Sequence, residues 1–146
     1  MSIGPNAVLR VVLDSNIYIA ALISPRGPNS QLWRAATESR YLLLISPAII
    51  AEIAAVLRTR FGWPEPLIQN RIKRLAKTAE VVLPETTVNL ILADPPDNRV
   101  LECAIDGKAD LIVSNDHHLL DLKLCQGVPI MAGPDFRRTL GIPAKC

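Results

Sequence analysis

This 146-residue sequence has few cysteines, no long hydrophobic run and no phosphate-binding glycine motif, and each shortage excludes something. Its three cysteines, Cys103, Cys125 and Cys146, are odd in number, far apart and without C-x-x-C spacing. That disfavours both a zinc site and a disulfide framework. Cys103, flanked by apolar residues in a helical pattern, reads as core. No apolar stretch approaches the roughly 18–20 residues needed to cross a bilayer. The opening MSIGPNAVLR lacks the charged and apolar regions of a secretory signal, so a cytoplasmic location without membrane association is expected. No G-x-G-x-x-G follows the first apolar run and no G-x-x-x-x-G-K-[ST] occurs, which disfavours a dinucleotide site and a P-loop. Internal repeats, low-complexity stretches and dividing linkers are also lacking, so a single domain, 1–146, is expected.

Hydrophobic residues make up 49% of the chain, enough for a packed core. Short apolar runs alternate with helical patterns. Strands are expected at Val8–Leu13, Leu42–Ile45, Val81–Leu83, Leu111–Val113 and Val128–Met131. Between them helices are expected at Ile17–Ile23, from a Ser30 cap to about Ser39, from Ser46-Pro47 to near Arg60, over Pro64–Ala76, over Asp94–Ile105 and over His117–Leu122. Pro134–Leu140 closes the pattern. This alternation predicts an α/β fold, a parallel sheet with helices on both faces. Such sheets bind ligands beyond the carboxyl ends of their strands.

Four carboxylates occupy positions where an unpaired acid is costly. Asp14 closes the first apolar run, where it is either a helix cap or a site residue, with Asn16 adding another oxygen nearby. Glu52 falls on the apolar stripe Ile49, Glu52, Ile53, Val56; it either reaches out from the stripe margin or faces a site. Asp97 is the third residue of a helix opened by Asp94-Pro95, so it either completes a capping box or heads the stripe Val100, Leu101, Ala104 into the site. Asp94 competes with it. Asp116 follows the fourth strand and is again a cap or a ligand. His117 and His118 point in different directions near a helix start and read first as exposed polar residues. Taken together, the acids converge on one sheet edge. Hard oxygen donors without cysteine suit magnesium or manganese, and such ions suit a phosphodiester substrate.

Net charge is only +2, but Arg58, Arg60, Arg71, Lys73, Arg74 and Lys77 cluster against a single Glu65. The run is either a solvated helix face or a phosphate-tracking patch. Arg58, Arg60, Arg71 and Arg74 are the candidate nucleic-acid contacts.

VVLDSNIYIAAL, SPAIIAEIAAVL, DPPDNRVLECAIDGKADLIVSNDHHLL and VPIMAGPDF, in that order, resemble the PIN-domain nucleases, and most closely their toxin branch in type II toxin–antitoxin pairs. The resemblance runs from about Val8 to Leu140. It implies a three-layer α/β/α sandwich on a five-stranded parallel sheet and a magnesium- or manganese-dependent endoribonuclease acting on single-stranded RNA. It implies that Asp14, Glu52, Asp97 and Asp116 are the catalytic, metal-holding acids, supported by Asn16 and Ser114. A cognate antitoxin and a homodimer are the implied partners. Two residues depart from the family pattern: Asn115 stands where glycine is usual, and His118 where relatives often carry another acid. The His118 departure keeps a rival alive, an RNA- or protein-binding module with a weakened site; a DNA-directed metal nuclease is a second rival.

Overall fold

Val11 and Val12 have no exposed surface and Leu13 is 1% exposed, as a strand covered on both faces requires. In the computed structural model, which describes residues 8–89 and 95–143, they form β1 (Arg10–Leu13) at the centre of a sheet. Two helices follow, α1 (Ser15–Ile23) and α2 (Pro28–Thr37), then β2 (Leu42–Ile45). Next come α3 (Pro47–Thr59), α4 (Glu65–Thr78) and the short edge strand β3 (Glu80–Val81). The second half runs α5 (Pro95–Asp106), β4 (Leu111–Val113), α6 (His117–Leu120), β5 (Leu124–Cys125), β6 (Val128–Met131) and α7 (Gly133–Thr139).

The strand order is β3-β2-β1-β4-β6-β5. The first five of these pair in parallel, and helices flank the sheet. The strand count is thus six, against the five expected, because β5 adds an antiparallel pair at the edge of β6. That pair is closed by Gln126 and Gly127, both with positive φ (47° and 83°), as a two-residue hairpin turn demands. Two residues are too few to show a period-two pattern, which hid β5 from the sequence.

Two local expectations also move. Ser30 does not cap α2. Pro28 takes the first turn, Gly27 is the cap residue, and the Ser30 hydroxyl donates back to the Gly27 carbonyl at 2.6 Å. The edge strand expected at Val81–Leu83 ends at Val81, with the Val82 N–H still bonded to Ile45 at 2.7 Å. Leu83, before Pro84, is 74% exposed. A residue preceding proline at an edge has neither a ladder partner beyond it nor a free choice of backbone angles. By contrast Ser46 caps α3 as expected, its hydroxyl accepting from Ile49 N–H, with Pro47 in the first turn.

Arg10, the one charge in the first apolar run, ties three elements together. Its guanidinium donates to the Gly107 carbonyl at the end of α5 and to Glu80 of β3. Gly107 must be glycine for space: an added Cβ would lie 2.7 Å from the Cys103 carbonyl oxygen and 2.9 Å from Val82. Cys103 is fully buried, and burial pushes its thiol up to about 12, which suits an inert core residue. Among the described residues no helix is long and apolar enough to cross a membrane.

Candidate acidic site

The parallel register builds one edge. Leu13 of β1 pairs with Val113 of β4, so Asp14 and Ser114 emerge side by side, and Asp14 N–H bonds the Val113 carbonyl at 2.9 Å. Val12 pairs with Leu44, which brings the start of α3 to the same edge. The strands are short and buried on both faces, so their first polar residues cluster beyond the carboxyl ends.

Asp14 occupies the cap position of α1, yet its side chain makes no capping bond. It is 1% exposed and instead accepts the Ser114 hydroxyl at 2.8 Å. The Ser15 hydroxyl lies 3.4 Å from Asp14 and 2.7 Å from Glu52, to which it donates. Ser114 also accepts from the Asp116 N–H at 3.0 Å. A hydrogen-bonded path therefore runs from Glu52 through Ser15, Asp14 and Ser114 to Asp116. Burial pushes the Asp14 carboxyl above the usual range; bonds from Ser114 and Ser15 oppose this, while the nearby charges of Glu52 and Asp116 add to it.

Glu52 is half-buried on α3, between the fully buried Ile49 and Ile53, as its stripe position predicts. Asp116 does cap α6: its Oδ1 accepts from His118 N–H at 2.8 Å. Asp97 sits in the first turn of α5 and is 4% exposed. Its rival, Asp94, lies outside the described residues, as does Cys146.

Sequence reasoning underrated two residues. His118 is not simply exposed: its Nδ1 lies 3.3 Å from Asp116 Oδ1 and 3.9 Å from Asp97 Oδ2, which places the imidazole between those acids. His117 does point outward, its side chain 76% exposed. Asp116, His117 and His118 nevertheless offer ligand atoms within 4.8 Å of one another, a set weighted to nitrogen at one flank of the acids. Ser15, which no sequence pattern singled out, lies between two carboxylates. Its signal was its place directly after Asp14, one step into the helix. Asn16 is exposed on the first turn of α1. Asn115 replaces the usual glycine without strain, since its φ is not positive, and its Oδ1 accepts from Gly133 N–H at 2.8 Å to anchor α7.

The arginines divide into two groups. Arg58 and Arg60 lie at the end of α3, exposed, and Arg58 is held by Glu65 in a two-pronged pair at 2.6 and 2.9 Å. Arg71 and Arg74 on α4 line a cavity shared with α1 and α2.

The comparisons with known proteins fit this architecture. A sequence profile of the PIN domain matches residues 10–118, a span that includes all four acids. The uncharacterized protein MJ1680 of Methanocaldococcus jannaschii is 28% identical over 120 residues, covering 79% of this chain and 76% of the relative. VapBC2 from Rickettsia felis, solved bound to a DNA fragment from its promoter, superposes with a TM-score of 0.63 at 12% identity, over 85% of this chain and 98% of that one. PAE2754 from Pyrobaculum aerophilum gives 0.58 at 16% identity, over 93% and 91%. At those identities the two structures speak for the fold, and the profile speaks for the family. A match over most of the chain, on a sheet whose carboxyl edge gathers the acids, establishes that this chain belongs to the PIN domain family.

Proposed function

We propose that this chain is a divalent-metal-dependent endoribonuclease for single-stranded RNA, the toxin of a toxin–antitoxin pair working in the cytoplasm. Membership of the PIN domain family supports a phosphodiester hydrolase. The toxin assignment draws on the order of the motifs and on the likeness of fold to VapBC2. RNA and a cognate antitoxin are the proposed partners, and a homodimer the proposed assembly.

The observation that carries the reading is the hydrogen-bonded path Glu52–Ser15–Asp14–Ser114–Asp116. It holds three acids beside one another, and their mutual repulsion shows in Asp14. Acids joined by the Ser15 and Ser114 hydroxyls, with His118 the basic side chain at their flank, suit a cation, and the four carboxylates as oxygen donors suit magnesium or manganese. Asp14, Glu52, Asp97 and Asp116 would hold the ion. When bound, it would neutralise charge on the scissile phosphate and make a water more acidic. The protein's own part is to fix the donors. Ser114 and Ser15 orient Asp14 and Glu52, while the His118 backbone N–H orients Asp116. One of the carboxylates takes the proton of the attacking water. Asn16 and Ser114 support the site, and Arg58, Arg60, Arg71 and Arg74 supply positive charge for the strand.

The position of His118 favours one second reading, a binding module with a weakened site. An imidazole between Asp97 and Asp116 replaces an oxygen donor by nitrogen. Cleavage of mixed single-stranded RNA and DNA with magnesium or manganese, beside calorimetric titration with manganese, separates the readings. The nuclease reading expects metal-dependent RNA cleavage lost in Asp14→Asn. Identical behaviour of wild type and variant, or no binding at millimolar manganese, sinks it.

A further inference from the structure

A cavity of about 440 Å³ lies between α1, α2 and α4. Leu22 and Leu75 give it apolar wall, Trp33 an indole, and Arg34, Arg71 and Arg74 three guanidinium groups; none of its lining residues is acidic. Trp33 is partly buried against the core, which holds its ring in place. Arg34, Arg71 and Arg74 form no salt bridge among the described residues, and Arg71 donates to the neutral Asn70 side chain at 2.8 Å, so the cavity's three are not committed to carboxylates. Three like charges around an aromatic wall are costly for the chain alone and suited to an anion with a flat apolar part.

The position of the cavity chooses among such anions. Helix α1 starts at Ser15, in the acidic site, and reaches the cavity at Ala21 and Leu22. Seven residues of helix span about 10 Å. At about 3.4 Å per stacked nucleotide this is roughly three nucleotides of a single strand. A single strand of a few nucleotides is thus long enough to reach from the acids to the cavity.

We propose that this cavity is a nucleotide subsite of the RNA-binding surface: one base of a single strand stacks on Trp33, and Arg34, Arg71 and Arg74 take the flanking phosphates. The proposal rests on the nuclease reading for its substrate, but its binding step needs no metal. Arginine planes and an aromatic ring accept any base, so the subsite sets the strand's path and grip rather than its sequence.

Intrinsic fluorescence tests it, because Trp33 and Trp63 are the two tryptophans. In a Trp63→Phe chain kept in EDTA, a uridylate decamer should quench Trp33 saturably. An abasic sugar-phosphate decamer should bind on the order of 10-fold more weakly. The salt dependence should follow a log–log slope of about −2, as three phosphate contacts on a single strand give, falling to about −0.7 in Arg71→Ala/Arg74→Ala. In the otherwise wild-type chain the same double substitution should raise KM for RNA on the order of 10-fold and leave kcat unchanged. Equal binding of a polyglutamate peptide would assign the cavity to an acidic protein partner and overturn the proposal. So would RNA cleavage with a silent Trp33 and an unchanged KM, and that result would leave the nuclease reading intact. Quenching by RNA without cleavage under any metal would do the reverse, keeping the subsite and removing the nuclease.

Discussion

Asp14 stands at the cap position of α1 and does not cap it, accepting the Ser114 hydroxyl instead, with the Ser15 hydroxyl 3.4 Å away. A buried carboxylate beside Glu52 and Asp116 costs the metal-free protein stability, and the sign can be worked out. Its folded pKa lies above the ordinary value of 3.8, so the native state keeps the proton to higher pH than the unfolded chain. Stability is therefore lost as pH rises through the folded pKa, and the effect disappears below 3.8. Asp14→Asn should raise the melting temperature in EDTA at pH 7 by roughly 2–4 °C, the shift 1 kcal/mol produces in a chain of this size. The gain should fade as pH drops toward 4; a variant that melts lower at pH 7 contradicts this account. Ser114 bonds the Asp14 carboxylate and the Asp116 N–H and would act on a bound ion through them, so Ser114→Ala should weaken manganese binding about 10–100-fold by calorimetry while the circular dichroism spectrum stays unchanged.

At the scale of elements, α3 is the one that presents Glu52, and its start is set by the Ser46 cap with Pro47 behind it. Ser46→Ala should cost about 1 kcal/mol in urea unfolding, the usual loss for a hydroxyl cap. If the denaturation midpoint does not move, the cap is not what fixes this end. Helix α3 was legible in the sequence because cap, proline and stripe agree. Helix α2 was less so: Ser30 looked like a cap, but Pro28 can enter the first turn without an N–H and starts the helix earlier. Strand β5 owes its existence to the Gln126-Gly127 turn rather than to any strand pattern of its own.

Across the whole molecule, the four acids come from the end of β1, the middle of α3, the start of α5 and the start of α6. An ion bound among them would join both halves of the chain. At a hundredfold excess over its dissociation constant it would add about 2.7 kcal/mol. Wild type should then melt roughly 5–11 °C higher in manganese than in EDTA, and Asp14→Asn should gain little. Equal shifts in the two proteins would place the metal elsewhere.

The sequence by itself determined the order of the five parallel strands and of the helices between them, and which acids stand at element ends. Apolar runs buried on both faces, helix stripes and caps are local patterns, and local patterns can be read without coordinates. It also carried the family resemblance, through motifs in a set order. Only the tertiary structure decided what each acid does with its oxygens. Asp14 and Asp116 are both aspartates before helices, yet one caps and the other does not, because the register of Leu13 with Val113 sets Ser114 against Asp14. Ser15 between two carboxylates, His118 between Asp97 and Asp116, and Arg34 beside Arg71 and Arg74 likewise join residues far apart in sequence. Such meetings depend on packing between elements, which no pattern within one element encodes.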